Sequence, residues 1–285
     1  MTQLKDSTAA VTGAASGIGR ALACALAEQG CHLALADRDE VGLAAVAEEL
    51  RGKYKLTITT TNLDVSDVDA VTRFAASAVA AHPKLNIIIN NAGVALMGDH
   101  DQIELSDMQW LMGINFWGVV YGCRAFMPHL VAQPEAHIVN VSSVFGLIGP
   151  PGNTTYSAAK FAVRGYSESL RYELEERGGH IKVSTVHPGG IKTNIVRNAR
   201  AVPSLSNKKA GLEDGFEKLA RTTPAQAADT IIAGILANNP RILIGGDARL
   251  IDRLQRLMPV SYYKWLRKIT QRTSGTTTRA SAKGA

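Results

Sequence analysis

From residue 8 to residue 244, short β-branched or apolar runs alternate with longer segments whose apolar residues recur every three or four positions. This is the pattern of a parallel sheet whose crossover connections are helices, and it excludes most other architectures. The runs 8–12, 32–37, 55–61, 86–90, 137–141, 182–186 and 241–244 read as strands. The segments 17–29, 40–51, 68–81, 107–130, 156–177 and 225–237 read as helices. Ser66 is the expected cap of the third helix, and Pro224 after Thr223 suits the first position of the last, where a missing N–H does no harm. The expected fold class is α/β, a doubly wound, mostly seven-stranded parallel sheet with helices on both faces.

The composition agrees with one packed domain. Of 285 residues, 46% are hydrophobic and 20% charged, which excludes a disordered, collagen-like or disulfide-scaffold chain. Cys24, Cys31 and Cys123 are too widely spaced for a CxxC pair or a metal site and read as free thiols in a reducing compartment. The first strand begins within about seven residues of Met1, which leaves no signal-peptide pattern, and no uncharged apolar stretch of about 18 residues occurs. A cytoplasmic location is expected. The formal charge of +6 is uneven: residues 241–285 hold ten Lys or Arg against Asp247 and Asp252, about +8, which leaves residues 1–240 at about −2. The near-neutral part, 1–248, is expected to be the single domain, followed by basic amphipathic helices over 249–272 and a disordered tail over 273–285.

The first strand runs into Thr12-Gly13-Ala14-Ala15-Ser16-Gly17-Ile18-Gly19, where a helix begins. A glycine-rich strand-to-helix turn lets backbone approach a pyrophosphate, and the helix N-terminus offers unpaired N–H groups. Asp37 ends the second strand eighteen residues after Gly19, close to the spacing at which a carboxylate meets ribose hydroxyls. A carboxylate there repels a 2′-phosphate and favours NAD over NADP. Arg38 follows directly and could swing toward such a phosphate, so both residues are candidates for the adenosine end.

On these residues the chain resembles the short-chain dehydrogenase/reductase family in its short, single-domain form, whose glycine motif is TGxxxGxG. The resemblance runs from about Thr8 to Ile244 and implies a Rossmann-type fold. Asp64-Val65 matches the family's adenine-contacting pair, Asn90-Asn91-Ala92-Gly93 its NNAG turn, and Asn115 its active-site asparagine. Ser143 lies in the VNVSS run, Tyr156 and Lys160 form the YxxxK pair, and Pro188-Gly189 with Thr193 match the PGxxxT turn, which includes Ile191. The resemblance implies cofactor contacts from Gly13, Ser16, Gly17, Ile18, Gly19, Asn91, Ala92, Gly93, Ile191 and Thr193 and from the Tyr156–Lys160 pair. It also implies a water held by Asn115 that links the lysine to solvent.

Elementary chemistry supports the same four catalytic candidates, Asn115, Ser143, Tyr156 and Lys160. Tyr156 and Lys160 stand four apart on a helix and share a face. Bringing a phenol from about 10 to about 7 needs roughly 4 kcal/mol of preferential phenolate stabilisation. An ammonium and an oxidised nicotinamide can supply much of it, making Tyr156 a base toward an alcohol and an acid toward a carbonyl. Ser143, at the C-terminal end of a strand, can orient a substrate oxygen, whereas neighbouring Ser142 points to the other face and reads as structural. Asn115, in the apolar stretch INFWGVV, needs buried partners. His187 reads as filling a strand end. No metal-ligating pattern, nucleophile elbow or Walker loop is present.

The segments 144–154 and 191–205 should flank the substrate, and 193–223, with little periodicity, should form its lid. They supply Val144, Phe145, Leu147, Ile148, Ile195, Val196, Val202 and Leu205, an apolar lining, while Arg197 and Arg200 could admit a carboxylate. A hydrophobic secondary alcohol or ketone is the expected ligand. The resemblance implies a homodimer built on the helices near Asp107 and Tyr156, or a homotetramer that adds a contact through the C-terminal ends, which the extended tail here could block. A nucleic-acid partner is not expected, because the main domain is slightly acidic. The tail, with Pro259 splitting it into two helices, could contact a membrane or pack on the pocket mouth or a partner subunit. The reading is a hydride-transferring oxidoreductase; the alternative is a catalytically idle NAD(H)-sensing or membrane-docking relative.

Overall fold

The computed structural model describes residues 2–206, 211, 215 and 220–267. In chain order the strands are β1 (Thr8–Thr12), β2 (His32–Asp37), β3 (Ile58–Asn62), β4 (Leu85–Asn90), β5 (Leu96–Met97), β6 (Ala136–Val141), β7 (Ile181–Pro188), β8 (Arg200–Ala201) and β9 (Arg241–Ile244). The helices are α1 (Gly17–Glu28), α2 (Glu40–Lys53), α3 (Val68–Ala81), α4 (Leu105–Met112), α5 (Gly118–Val131), α6 (Thr154–Glu176), α7 (Pro203–Ser206), α8 (Pro224–Leu236) and α9 (Gly246–Leu257).

Seven strands form one sheet in the order β3-β2-β1-β4-β6-β7-β9, all pairs parallel. The continuous burial of its inner strands β1, β4 and β6 follows from helices covering both faces. Leu33 and Leu35 of β2 and Ile87 and Ile89 of β4 pack with Leu22 and Leu26 of α1, Leu43 and Leu50 of α2, and Ile231 and Ile235 of α8. Ala34 and Ile88, one residue out of step, face Phe74 of α3, Phe126 of α5 and Val163 of α6. Each large apolar side chain so buried contributes about 1.5–3 kcal/mol. The strand order reverses at β1, which lies between β2 and β4, and such a reversal opens a crevice at the C-terminal strand ends.

Several local features differ from the sequence pattern. The cap of α3 is Asp67, whose side chain accepts from Asp69 N and Ala70 N, because the Ser66 hydroxyl is spent on Asp64 Oδ1 at 2.7 Å. The expected helix 107–130 starts at Leu105 and is interrupted by a π-helical turn at Gly113–Trp117. At α8, Thr223 and Gln226 form a full capping box with Pro224 in the first turn. After α9 the chain turns at 258–261 and is helical again over 262–267.

β5 and β8 form a separate parallel pair that no periodicity announced, since each has only two residues. Arg200 N donates to Ala95 O and Val202 N to Met97 O, both at 3.1 Å. This ribbon is packed by a small third core of Leu96, Ile103, Leu111, Ala159 and Val202. Within the expected lid, 207–210, 212–214 and 216–219 lie outside the described residues, as do 268–272 of the expected amphipathic helices and all of the expected disordered tail, 273–285.

Candidate active site

Gly13 and Gly17 have φ of +68° and +54°, values that exclude ordinary side chains at little cost only to glycine. Gly19 is fixed for another reason: a Cβ there would overlap the Gly13 carbonyl oxygen. The turn is tied to the NNAG segment. Thr12 Oγ1 accepts from Asn91 N at 3.0 Å and Ala92 N at 3.1 Å, while Asn91 Nδ2 donates to Thr12 O at 2.9 Å and Gly13 O at 3.2 Å. Thr12, which the sequence reading passed over, is therefore the pin between the two motifs; its place before Gly13 was the available signal.

The turn fits a dinucleotide pyrophosphate. Ser16 is exposed and caps α1 with extended backbone but no side-chain hydrogen bond, so its side chain leaves the first-turn N–H groups for another acceptor. Thr193 closes the other side, its Cγ2 lying 3.3 Å from where a Gly17 Cβ would stand. Ile18 packs against the core below, and Ile191 is bridged to Thr222. Asp37 Oδ2 accepts from Ala15 N at 2.9 Å and Oδ1 from Asp39 N at 3.0 Å, which fixes the carboxylate beside the turn. Arg38 is exposed. Asp64 is exposed and held by Ser66 N at 2.9 Å, with Val65 buried next to it. At the far edge Gly189 N donates to Ile244 O and Gly190 N to Asp247 Oδ2, fixing the turn that follows Pro188.

The four catalytic candidates come together beyond this turn. Ser143 sits just after β6, 8% exposed, with its Oγ accepting from Phe145 N at 3.1 Å. His187 Nδ1 lies 3.1 Å from Ser143 O, so that nitrogen carries the proton and donates. Burial holds His187 neutral, with its pKa lowered to about 4. Tyr156 retains partial exposure and packs edge-on against Phe145, ring centroids 6.1 Å apart. Burial pushes its hydroxyl above the ordinary tyrosine value, and a hydrogen bond with Ser143 opposes that rise.

Lys160 is 4% exposed, donates to Val141 O at 2.9 Å, and has its ammonium 5.9 Å from the Tyr156 ring centroid. Burial lowers its pKa to about 8. The tyrosine and lysine thus pull in opposite directions from solution values, as happens when proton-transfer groups are enclosed together. Ser142 Oγ donates to Lys160 O at 2.8 Å, the structural role expected of it.

Asn115 lies in the π turn, fully buried. Its Oδ1 accepts from Val94 N at 2.8 Å and its Nδ2 donates to Val94 O at 2.9 Å. A Cβ on Gly93 would stand 3.3 Å from Asn115 Oδ1 and 3.6 Å from Lys160 Nζ, so only glycine leaves room between them and the crevice. A π turn at this position is a common mark of function. Arg200 does not line the site as a free cation: its guanidinium pairs with Asp107 at 2.7 Å and covers the Trp110 ring at 3.6 Å. The expectation that it could receive a carboxylate is corrected accordingly. A cleft of about 510 Å³ between α1 and α8 shares Gly17 and Thr193 with the turn but contains none of the four catalytic candidates.

A doubly wound sheet with a phosphate-binding turn at its switch point, and a Ser–Tyr–Lys–Asn cluster at the strand ends, defines a dinucleotide-dependent oxidoreductase. The short chain dehydrogenase family model matches residues 7–203, and the chain belongs to that family. It is 42% identical over 267 residues to the Mycobacterium tuberculosis protein named "Putative oxidoreductase SadH", covering 93% of this chain and 95% of that one. It is 34% identical over 263 residues to the uncharacterized oxidoreductase YxnA of Bacillus subtilis, covering 91% of this chain and 71% of that one. Among solved structures, a short-chain dehydrogenase/reductase of Burkholderia phymatum in complex with NAD superposes with a TM-score of 0.83 at 30% identity, over 90% of this chain and 95% of that one.

Proposed function

We propose that the chain interconverts a hydrophobic secondary alcohol and its ketone, with NAD preferred over NADP. The observation that carries this reading is the convergence of Ser143, Tyr156 and Lys160: Phe145 donates its N–H to Ser143 Oγ and packs its ring edge-on against Tyr156, and the Lys160 ammonium lies 5.9 Å from the Tyr156 ring centroid. When bound, the nicotinamide supplies the hydride acceptor or donor. In the oxidative direction Tyr156 Oη takes the hydroxyl proton of the alcohol; in reduction it returns one to the forming alkoxide. Ser143 Oγ holds the substrate oxygen, and the Lys160 ammonium favours the phenolate. Asn115 keeps the Val94 backbone against the π turn and so maintains the path by which Lys160 exchanges protons with water.

The preference for NAD rests on Asp37, whose charge beside the Ala15 amide disfavours a 2′-phosphate. An apolar substrate is supported by the apolar character of the segments flanking the catalytic candidates: Val144, Leu147, Ile148 and Val202 are buried, Phe145 meets Tyr156, and Arg200 is neutralised by Asp107. Trp117, Phe161 and Tyr172 on the α5–α6 side are 46%, 40% and 56% exposed, a surface suited to a homodimer or homotetramer. Free Cys24, Cys31 and Cys123 suit the cytoplasm. A panel of apolar alcohols and ketones, run separately with NAD and NADP, tests the reading. Turnover of secondary alcohols with NAD is expected. Tight NADH binding with no turnover across the panel would instead make the chain a nucleotide sensor.

A further inference from the structure

α9 and the helical stretch 262–267 carry a surface that the proposed reaction does not use. On the inner side of α9, Ala248 and Asp252 are buried, and Asp252 ties the helix to the sheet through Arg241 while also pairing with Arg256. On the outer side Leu250 and Leu257 are 49% and 79% exposed, followed by Val260 at 93% and Tyr263 at 38%. Arg249, Arg253 and Lys264 stand exposed among them, and none is in an ion pair among the described residues. Positions 249, 250, 253, 256 and 257 fall on one helical face, so leucine and arginine share a single stripe.

Soluble surfaces rarely leave large aliphatic side chains so bare next to one another. Apolar side chains interleaved with cations and tyrosine are the composition of a helix that lies at a lipid interface, with chains in the acyl boundary and cations at the headgroups. We propose that this face docks peripherally on an anionic lipid membrane. Charge selects that occupant. Residues 241–285 carry about +8 while the rest of the chain is near −2, so the attraction is confined to this end. A second copy seated on the same face would bring two arginine clusters of the same sign, each of Arg249, Arg253 and Arg256, into one interface. The patch is also joined to the site: Gly149 N donates to Tyr262 Oη at 3.1 Å, connecting the 262–267 stretch to the loop that follows Ser143. Docking would hold the pocket mouth near the bilayer, where apolar alcohols and ketones concentrate. That consequence rests on the proposed substrate class, whereas docking itself does not.

The test is co-sedimentation of the full chain with phosphatidylcholine vesicles that either contain or lack phosphatidylserine. Binding is expected only with phosphatidylserine, and rising salt should weaken it. Arg249→Gln/Arg253→Gln should weaken it about 30-fold, the scale expected for two surface cations. Leu257→Gln/Val260→Gln should also release the protein, and both sites are exposed enough for the fold to tolerate the change. Turnover on a soluble substrate should be unchanged in each variant. The proposal fails if the full chain stays in the supernatant with phosphatidylserine at low salt, or if both double variants still sediment. It also fails if light scattering shows that Leu257→Gln/Val260→Gln splits an oligomer, which would make the face a contact between copies.

Discussion

Asn115 and Val94 are paired by both backbone groups of the valine: one side-chain amide satisfies the N–H at 2.8 Å and the C=O at 2.9 Å. The contact joins the segment after β4 to the π turn between α4 and α5, 21 residues on in sequence. Replacing Asn115 with leucine leaves two part-buried backbone groups without their partner, at a cost of about 1 kcal/mol each, the low end of the range for buried groups. Asn115→Leu should therefore unfold at lower denaturant concentration and lose turnover more than it loses NADH affinity, which chemical denaturation and fluorescence titration can compare.

Tyr156→Phe removes the proton-transfer oxygen and leaves the cofactor turn intact. A loss of about 10²–10⁴ in kcat is expected, with NADH binding retained. Wild-type turnover in this variant would refute the assignment.

Lys160→Met removes the ammonium near the tyrosine. Burial already pushes Tyr156 up, and without the cation its phenolate is harder to form. The alkaline rise of kcat/KM for alcohol oxidation should move to higher pH. An unshifted profile would mean that the ammonium does not tune the phenol.

Gly19→Ala would press its methyl on the Gly13 carbonyl oxygen, and both atoms belong to stiff backbone. Opening the turn to relieve the clash misaligns the first N–H groups of α1. NADH affinity should fall at least tenfold, measured by calorimetry, while the far-UV spectrum stays near wild type.

Two buried histidines set an acid limit on stability. Burial lowers His137 and His187 from 6.5 to about 4. The unfolded chain therefore binds protons that the native chain refuses between about pH 6.5 and 4, and stability falls as pH drops through that window. Each contributes up to about 3 kcal/mol of this slope. Urea unfolding at pH 7, 6 and 5 should show a falling midpoint, and His137→Gln should flatten the dependence. His137 bonds to Thr2 and Ser184 at 3.0 and 2.8 Å, so glutamine keeps some of the polar contact.

Much of this organisation is legible in the chain. Strand periodicity located all seven strands of the large sheet because both faces of a parallel sheet must be apolar, and β1, β2 and β9 have the bounds the sequence suggested. The four catalytic candidates were visible as motif residues, and the structure brings them together. What the sequence hid depends on contacts across long separations. Thr12 acts by holding Asn91 and Ala92, nearly 80 positions away, and Val94 acts through its backbone, which has no side-chain signature. Arg200 read as a free cation until the fold placed Asp107 and Trp110 against it. The π turn was invisible because apolar spacing over 105–131 is shifted by only one residue.

The ribbon of β5 and β8 separates two scales of stability within one molecule. The large sheet buries its inner strands under helices on both faces, so their amides should exchange only through global unfolding. The ribbon rests on two residue pairs, two hydrogen bonds from β8 and its neighbour, the half-exposed Arg200–Asp107 contact and a core of only five buried residues, against some thirty in the cluster on one face of the large sheet. Its opening should cost only a small fraction of the global free energy. Amide exchange at Arg200 and Val202 should then be many times faster than at Val139, which would let the pocket change its contents while the cofactor turn stays formed.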